Sequence, residues 1–209
     1  MLTSENLLFI LLAYLTGAFP SAVWVGKTFY KIDVREFGSG NAGATNTFRV
    51  LGKKAGIPVL IMDIFKGWLC VNYISFLTNI PQSAEANFEI KLAFGIAAVI
   101  GHLFPIYTGL RGGKGIATLL GLLIGLHSVA ALYSILVFVI VFLISKYVSL
   151  SSIIASVAFP ILVILILGST NVSLNLFAFF VPILSLITHQ KNIERLLRGE
   201  ETKIKFDKK

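Results

Sequence analysis

The stretch Ile116-Ala-Thr-Leu-Leu-Gly-Leu-Leu-Ile-Gly-Leu-His127 decides the topology of this chain. It is almost entirely apolar, but a helix of this length rises only roughly 18 Å, whereas a membrane span needs ~20 apolar residues. The number of crossings, and hence the side on which each loop lies, depends on whether this segment crosses. Six longer apolar runs surround it, at residues 7–25, 55–77, 88–107, 131–145, 149–167 and 174–188.

The composition of the 209-residue chain indicates a bilayer as its solvent. Hydrophobic residues make up 56% and charged residues 13%, against about 45–50% and about 25% in soluble domains. A chain this apolar has too little polar surface to coat a soluble globule. The single cysteine, Cys70, excludes a disulfide framework and a CxxC metal site. The net charge of +8 fits basic cytoplasmic loops better than nucleic-acid binding.

Lysine and arginine favour crossing of the short segment. They cluster in residues 26–54, at positions 111, 114 and 146, and in the tail from 189 to 209. If residues 116–127 cross, sixteen of the eighteen cations lie on one side, which the positive-inside rule makes the cytoplasm. We therefore predict an all-α integral membrane protein, a single polytopic domain over residues 1–209 with about seven transmembrane helices, its N-terminus outside and its C-terminus cytoplasmic. A re-entrant half-helix at residues 116–127 is the alternative.

The first polar stretch with a chemical signature is Phe37-Gly-Ser-Gly-Asn-Ala-Gly-Ala-Thr-Asn-Thr-Phe-Arg49, in the predicted cytoplasmic loop 26–54. Its glycines permit positive φ and close backbone approach, and Arg49 ends it with a planar guanidinium that matches phosphate oxygens. Between them lie four short hydrogen-bonding side chains, Ser39, Asn41, Thr45 and Asn46. This pattern predicts an anion site; a flexible solvated loop is the alternative.

The second polar stretch is Arg111-Gly-Gly-Lys-Gly-Ile-Ala-Thr118, which runs from the predicted loop 108–115 into the short apolar segment. A glycine-rich approach to a helix N-terminus, with a lysine, is typical of an anion cradle. It is not a P-loop, because the G-x-x-x-x-G-K-[ST] spacing and the preceding strand are absent. A basic turn beside the membrane is the plainer interpretation of this stretch alone.

The third polar stretch runs from His189 to Glu201 in the predicted cytoplasmic tail 189–209. Helical spacing places His189 and Asn192 near one face. Taken alone, the stretch is better interpreted as an interfacial amphipathic helix held by anionic lipid. Beside the other two stretches, His189 and Asn192 become candidate substrate ligands.

Asp63 and Lys66 lie inside the second apolar run. Each would cost ~2.5–3.5 kcal/mol at the bilayer centre, so neither should face lipid. Three residues apart, they can pair along a helix, and we predict a structural ion pair. His102 is interpreted as an interior histidine with a satisfied hydrogen bond, and no metal site is predicted.

Five motifs taken together resemble the bacterial PlsY-type acyl-phosphate:glycerol-3-phosphate acyltransferases. The resemblance runs from the first apolar run to residues 201–204. The HxxxxD motif of other glycerol phosphate acyltransferases is absent from the chain. The motifs are Gly38-Ser-Gly-Asn-Ala-Gly-Ala-Thr-Asn46 with Arg49, Asp63-Ile-Phe-Lys66-Gly67, Gly101-His-Leu-Phe-Pro105, Gly112-Gly-Lys-Gly-Ile-Ala-Thr118 and His189-x-x-Asn192-Ile-x-Arg195-Leu.

The resemblance implies an acyltransferase of the bacterial cytoplasmic (inner) membrane that needs no cofactor and no metal. It would transfer a fatty acyl group from acyl phosphate to the 1-hydroxyl of glycerol 3-phosphate. The products would be 1-acyl-sn-glycerol 3-phosphate (lysophosphatidate) and phosphate, in the first acylation of phospholipid synthesis. The implied partners are the two substrates, membrane lipid and a soluble enzyme that produces acyl phosphate, with no nucleic acid.

The resemblance also implies roles for individual residues. The expected catalytic residues are Ser39, Arg49, Lys114, His189 and Asn192. The expected substrate-binding residues are Gly38, Gly40, Asn41, Thr45, Asn46, Gly112, Gly113, Gly115, Thr118 and Arg195. Glu201 is expected to brace the tail, as a structural residue beside Asp63 and Lys66.

The only acids beside these stretches are Asp33, Glu36 and the tail glutamates. None of them is marked by the sequence as a general base, so we expect a phosphate oxygen of the substrate to accept the hydroxyl proton. The rival class is a transporter or channel for a phosphorylated anion. Transporters usually bind at the midplane and contain internal repeats, and no repeat is visible here. A lipid-binding scaffold is a third interpretation, although it would not need two glycine-rich loops.

Overall fold

Ten α-helices form the part of the chain, residues 3–203, that the computed structural model describes. In chain order they are α1 (Ser4–Gly17), α2 (Ser21–Tyr30), α3 (Ala44–Leu51), α4 (Lys53–Val71), α5 (Ala84–Leu103), α6 (Ile116–Leu126), α7 (Ser128–Ser145), α8 (Val148–Ile161), α9 (Val172–Thr188) and α10 (Gln190–Leu197). Short 3-10 turns cover Val34–Glu36, Asn72–Phe76 and Ile106–Thr108, and a π-helical turn covers Leu162–Ile166. Residues 3–203 contain no strand, so the all-α prediction is confirmed there. Residues 204–209 of the predicted tail lie outside the described residues.

Four helical segments are long and apolar enough to cross a bilayer: Lys53–Phe76, Ala84–Thr108, Ser128–Ser145 and Val148–Ile166. Two bent pairs, α1 with α2 and α9 with α10, meet the same standard when each pair counts as one span, which makes six within residues 3–203. The segment that decides the threading forms α6, with 11 residues. Seven crossings and the orientation of the termini stay predictions.

The first apolar run, predicted as one span over residues 7–25, forms two helices bent by 41°. Pro20 is the N-cap residue of α2. Proline lacks an N–H, and it disfavours the α conformation at the preceding residue, Phe19, so the helix does not continue through this point. The break frees the carbonyl of Phe19 from helical hydrogen bonding, and Lys66 Nζ donates to that carbonyl at 3.0 Å.

The segment predicted as one loop, residues 26–54, is largely ordered into short helices. α2 extends to Tyr30, a 3-10 turn covers Val34–Glu36, and α3 occupies Ala44–Leu51. Thr and Asn residues favour turns and caps over helix in isolation, which is why the sequence alone did not predict α3. Packing against α4 stabilises it, with Asn46 and Thr47 buried.

Packing divides the chain into two compact units, the first ending at Leu126 and the second beginning at His127. In the first unit α1 packs on α5, and α4 packs on α6. α4 and α6 approach so closely that a Cβ on Gly67 or Gly121 would strike a carbonyl of the facing helix, the small-residue packing common between membrane helices. In the second unit α8 contacts α7, α9 and α10. The single-domain prediction stays a prediction.

The surface of α7 fits a lipid environment. Only 11% of this helix is buried inside the protein, and its large apolar side chains, such as Leu136, Ile140 and Ile144, are exposed. In water a continuous apolar face of this kind would be an aggregation hazard. In hydrocarbon it is favourable, because the helix satisfies its own backbone hydrogen bonds.

Candidate active site

Asn46 organises the first predicted anion-binding segment. It is 1% exposed, and its Nδ2 donates to the carbonyls of Val34 (2.7 Å) and Phe37 (3.1 Å). Its Oδ1 accepts from the N–H of Ser39 (2.8 Å) and from the Ser39 hydroxyl (3.1 Å). Both donors and both acceptor positions of the amide are therefore used inside the segment. Asn46 shapes this turn, and its predicted contact with substrate stays a prediction.

Ser39 lies in the turn that Asn46 holds. Gly38 and Gly40, on either side, have left-handed φ of 63° and 72°, a conformation that glycine adopts without steric cost. A Cβ on Gly38 would also collide with Oδ1 of Asn46. Ser39 itself is half-buried. Because Asn46 bonds both the N–H and the hydroxyl of Ser39, the turn around Ser39 has a fixed conformation.

The remainder of this motif forms the beginning of α3. Gly43 is the N-cap residue and provides no side-chain cap, so N–H groups of the first turn lack the usual capping partner, an arrangement that suits an anion. Thr45 lies in this turn and Asn41 just before it, and both are half-buried. Arg49 is four residues beyond Thr45 and hence on the same face of the helix.

The second predicted anion-binding segment lies against the C-terminal end of α5. The N–H of Gly113 donates to the carbonyl of His102 at 3.2 Å, one of the carbonyls that a helix end leaves without a helical partner. A Cβ at Gly112 or Gly113 would strike His102, so this close approach requires glycine at both positions. Lys114 follows and is half-buried, and Gly115, with φ of 81°, leads into α6.

Thr118 is buried in the protein, unlike the half-buried Gly112, Gly113 and Lys114 before it. It is 0% exposed, and its hydroxyl has no hydrogen-bond partner among the described residues. Gly67 of α4 packs on its carbonyl. Thr118 therefore lies in the contact between α4 and α6. Its contact with substrate stays a prediction.

Asp63 and Lys66 form the ion pair that their spacing predicts, with 2.9 Å between Lys66 Nζ and Asp63 Oδ1. Their side chains are 2% and 7% exposed, so neither charge faces lipid. Two partners that sequence reasoning missed complete the arrangement: the Ser21 hydroxyl donates to Asp63 Oδ1 at 2.8 Å, and the Phe19 carbonyl accepts from Lys66. His102 Nδ1 lies 3.6 Å from the same carboxylate oxygen.

A cavity of about 10 Å³ lies between this ion pair and the second anion-binding segment, and Lys66, His102, Gly112 and Gly113 are among its lining residues. Such a volume accommodates about one water molecule. A phosphate group does not fit. Lys66 of the ion pair and the glycine segment therefore line one water-sized cavity, and that cavity is not a substrate pocket in this conformation.

Arg35 connects two regions of the first unit that the sequence did not link. Its guanidinium pairs with Asp33 through Nε–Oδ1 (3.0 Å) and Nη2–Oδ2 (2.8 Å), and its Nη1 donates to the carbonyl of Thr108 (3.0 Å). The hydrogen bonds from Arg35 outweigh the effect of burial and hold the pKa of the Asp33 carboxyl well below its usual range. Positions 35 and 108 share no sequence signal, because only the fold brings them together.

In the second unit, Glu201 gathers three side chains. Its Oε1 accepts from Ser149 Oγ (3.0 Å) and Asn192 Nδ2 (2.7 Å), and its Oε2 accepts from Arg195 Nε (2.8 Å). Burial alone would raise the pKa of Glu201, but the hydrogen bonds from Arg195, Asn192 and Ser149 lower it overall. The tail residue thus holds two predicted site residues, and Ser149 is a partner that sequence reasoning missed.

His189 ends α9 at the 65° bend into α10. It is 3% exposed, and its Nδ1 lies 2.9 Å from the carbonyl of Ser185. Because a carbonyl can only accept, Nδ1 carries a proton, and in the neutral ring Nε2 is then the acceptor.

Across residues 3–203 no group of three or more His, Cys, Asp or Glu side chains is arranged to hold a metal ion.

Sequence comparison places this chain among proteins of one described activity. A family model described as "Glycerol-3-phosphate acyltransferase" matches residues 7–199. A glycerol-3-phosphate acyltransferase of Enterococcus faecalis (strain V583) is 43% identical over 204 residues, covering 94% of this chain and 91% of the relative. One from Staphylococcus aureus (strain JH9) is 42% identical over 201 residues, covering 94% and 96%.

The fold is also similar to that of a solved integral membrane protein. The crystal structure of PlsY (YgiH), an integral membrane glycerol 3-phosphate acyltransferase, in its glycerol 3-phosphate form superposes with a TM-score of 0.82 at 32% identity, over 97% of this chain and 96% of that one. Its lysophosphatidic acid form gives 0.81 at the same identity, over 97% of both chains. With the apolar helices, this similarity identifies a multi-pass membrane protein.

Proposed function

The chain belongs to the glycerol-3-phosphate acyltransferase family, and from that premise we propose that it transfers a fatty acyl group from acyl phosphate to the 1-hydroxyl of glycerol 3-phosphate. The products are 1-acyl-sn-glycerol 3-phosphate (lysophosphatidate) and phosphate, in the first acylation of bacterial phospholipid synthesis. The observation that carries the proposal is the family match over residues 7–199, which includes the first two polar stretches and the third as far as residue 199. The choice of donor rests on their PlsY-type pattern and on the absence of HxxxxD from the sequence.

In the proposed reaction the hydroxyl oxygen of glycerol 3-phosphate attacks the acyl carbonyl carbon. A new C–O bond forms, and the bond from that carbon to the phosphate oxygen breaks and releases phosphate. The hydroxyl proton passes to a phosphate oxygen of the substrate. Of the acids beside the motifs, Asp33, Glu194 and Glu201 are each bonded to an arginine, and Glu36 is exposed. Acyl phosphate is already activated, so the transfer needs no covalent enzyme intermediate.

Both substrates carry phosphate, and their mutual repulsion must be offset by fixed cations and oriented donors. We assign that role in the first unit to Arg49 and Lys114, with the backbone of Gly112, Gly113 and Gly115. Ser39, Asn41 and Thr45 bind phosphate from the turn before α3 and from its first turn, and Ser39 lies nearest the transferred acyl group. Asn46 acts through Ser39, because its own amide is fully occupied.

The second unit contributes glycerol 3-phosphate ligands in this proposal. His189 and Asn192 position the substrate, and Arg195 adds positive charge. Glu201 holds Asn192 and Arg195 in place. Catalysis then consists of positioning and charge stabilisation.

We place the reaction on the cytoplasmic side of the bacterial inner membrane. In this topology the chain crosses about seven times, with α6 as a crossing segment, the N-terminus outside and the C-terminus inside. The clustering of sixteen of the eighteen Lys and Arg residues in the motif segments, the turn at residue 146 and the tail supports this orientation. A soluble enzyme that produces acyl phosphate would supply the donor from the same side.

A comparison of acyl donors tests the proposal. Palmitoyl phosphate, palmitoyl-CoA and palmitoyl carrier protein are each offered to the purified protein with labelled glycerol 3-phosphate. We expect lysophosphatidate and phosphate from palmitoyl phosphate alone. Product from either of the other donors alone would overturn the donor assignment. No product from any donor, together with uptake of labelled glycerol 3-phosphate into liposomes, would favour the transporter instead.

A further inference from the structure

The residues just before the first glycine-rich motif form a compact charged clamp. Asp33 Oδ1 accepts from the N–H of Arg35 at 3.0 Å and from Arg35 Nε at 3.0 Å, while Oδ2 accepts from Nη2 at 2.8 Å. The side chains of Asp33 and Arg35 are 9% and 22% exposed. Paired, in-plane contacts between guanidinium and carboxylate are the strongest geometry available to these two groups. The orientation of the guanidinium is therefore fixed before it contacts anything else.

The remaining nitrogen of this guanidinium reaches the second motif. Arg35 Nη1 donates to the carbonyl of Thr108 at 3.0 Å, across 73 positions of sequence. The two residues after Thr108 are both left-handed, Gly109 with φ of 66° and Leu110 with φ of 60°. Leu110 is in a conformation that side chains other than glycine rarely adopt, so its surroundings must hold it. Arg35 holds the carbonyl that enters this turn, and the turn leads directly to Gly112 and Lys114.

The backbone of Arg35 also lies beneath the first motif. Its carbonyl is 3.5 Å from the position that a Cβ on Gly40 would occupy. The preceding carbonyl, of Val34, accepts from Asn46 Nδ2 at 2.7 Å. The short turn that contains Arg35 therefore packs against the Ser39 turn through its backbone. The Arg35 side chain extends from this turn to Thr108.

We propose that Arg35, clamped by Asp33, is a positioning residue that fixes the glycine-rich turn around Ser39 relative to the Gly112–Lys114 segment. Its role in the reaction rests on the proposed function, in which these two segments bind phosphate. Transfer between two bound substrates requires their reacting atoms to be held within a fraction of an ångström, and two independent loops do not provide that. Arginine is required because a lysine ammonium cannot grip both carboxylate oxygens and a third acceptor in one plane.

Amide hydrogen exchange of the full-length protein in detergent tests the link without any substrate. The amides of Thr108 and Leu110 both donate to the carbonyl of Pro105, and that of Gly113 donates to His102, so their exchange reports on the second segment. In Arg35→Lys we expect exchange across residues 105–115 to accelerate at least about tenfold. Unchanged exchange would overturn the proposal, whatever reaction the protein catalyses.

Lys27→Ala is the matched control. Lys27 Nζ lies 3.3 Å from the same Asp33 carboxylate, but its side chain is 59% exposed and the Thr108 carbonyl is bonded by Arg35. Removing Lys27 therefore changes the charge around Asp33 and leaves the link to Thr108 intact. We expect exchange across residues 105–115 to stay within about twofold of wild type. An acceleration equal to that of Arg35→Lys would show that any change around Asp33 loosens this segment, and would overturn the role of the link.

Kinetics separates positioning from a general role in folding. We expect Arg35→Lys to lower kcat/KM for glycerol 3-phosphate about tenfold or more, with the unfolding midpoint within about 3 °C of wild type. Lys27→Ala should stay within about twofold in kcat/KM. Faster exchange with unchanged kcat/KM would overturn the positioning role. A wild-type protein that forms no product from acyl phosphate would overturn the proposed function, while the exchange data would still test the link itself.

Discussion

Lys66 Nζ donates to the main-chain carbonyl of Phe19 at a distance of 3.0 Å, so a charge from the interior of α4 bonds to the break between α1 and α2. A buried ammonium in a membrane needs acceptors. Asp63 and the Phe19 carbonyl, which also accepts from the N–H of Ser21 at 3.0 Å, provide them. The proline that breaks the first span is therefore part of the same arrangement as the buried ion pair.

We predict that Lys66→Met destabilises the protein strongly. Methionine fills similar space but leaves the Asp63 carboxylate buried without its ammonium partner, a change that costs about 3–5 kcal/mol in buried pairs. The measurement is the free energy of unfolding in detergent. The double variant Asp63→Asn with Lys66→Met removes both charges and should recover at least about half of the loss. A double variant no more stable than the single one would show that the two charges are not coupled.

Asn46→Asp should disable the Ser39 turn. A carboxylate cannot donate to the carbonyls of Val34 and Phe37, so both lose their partner and face a negative charge. We expect kcat/KM to fall at least about tenfold. Asn72→Asp makes the same chemical change at an amide that bonds only one carbonyl, that of Trp68, and should stay within about twofold. Equal losses in the two variants would contradict the role given to Asn46.

Lys114→Ala should lower kcat/KM roughly 30-fold or more. This corresponds to a loss of at least ~2 kcal/mol of transition-state stabilisation, as expected for loss of a charge-assisted contact. The half-buried Lys114 directly follows Gly112 and Gly113, the glycine pair that packs against the C-terminal end of α5. The control is Lys54→Ala, at an exposed cation in the first turn of α4. Activity of Lys114→Ala within about threefold of wild type would remove Lys114 from the site.

His189→Ala separates two possible roles of His189, which we assign as a glycerol 3-phosphate ligand. Since we assign the proton to a substrate phosphate, we expect KM for glycerol 3-phosphate to rise about tenfold while kcat falls less. Steady-state kinetics with binding of glycerol 3-phosphate in the absence of donor is the measurement. Loss of kcat with unchanged affinity would identify His189 as the base. His127→Ala, at the N-cap of α7, is the control.

The Glu201 cluster predicts a specific dependence of stability on pH. The pKa of Glu201 is lower in the folded chain than its ordinary value of 4.5, so its contribution to stability is complete above that pH. The contribution is lost as the pH falls through the lowered pKa. We therefore expect Glu201→Gln to unfold at a lower temperature than wild type at about pH 7, with the difference shrinking below about pH 4.5. A difference that stays constant with pH would contradict this assignment.

Hydropathy predicted the apolar segments of this fold well and their internal breaks poorly. The runs at residues 55–77 and 88–107 correspond closely to Lys53–Phe76 and Ala84–Thr108, because bilayer thickness imposes a length that sequence displays directly. The bend at Pro20 was missed because membrane helices often tolerate proline. Residue type alone does not separate Pro20 from Pro58, Pro160 and Pro182, which lie inside helices.

Site residues were predicted where chemistry is local and missed where it is tertiary. The glycines around Ser39 and the pairing of Asp63 with Lys66 follow from residue type and spacing. The full occupancy of the Asn46 amide, the Ser149 bond to Glu201 and the Arg35 bond to Thr108 join positions 7 to 73 residues apart. Such contacts leave no periodicity in one sequence, so only the folded structure reveals them.

The shortness of α6 has a consequence for the depth of the proposed chemistry. Its 11 residues rise about 16 Å, whereas the hydrocarbon layer is about 30 Å thick. In the seven-span topology proposed above, the ends of α6 cannot both reach the headgroups, so the bilayer thins around α6 or one of its ends lies within the hydrocarbon layer. Where the recessed end is the one with Lys114 and its glycines, glycerol 3-phosphate has to pass below the headgroups to meet the acyl group.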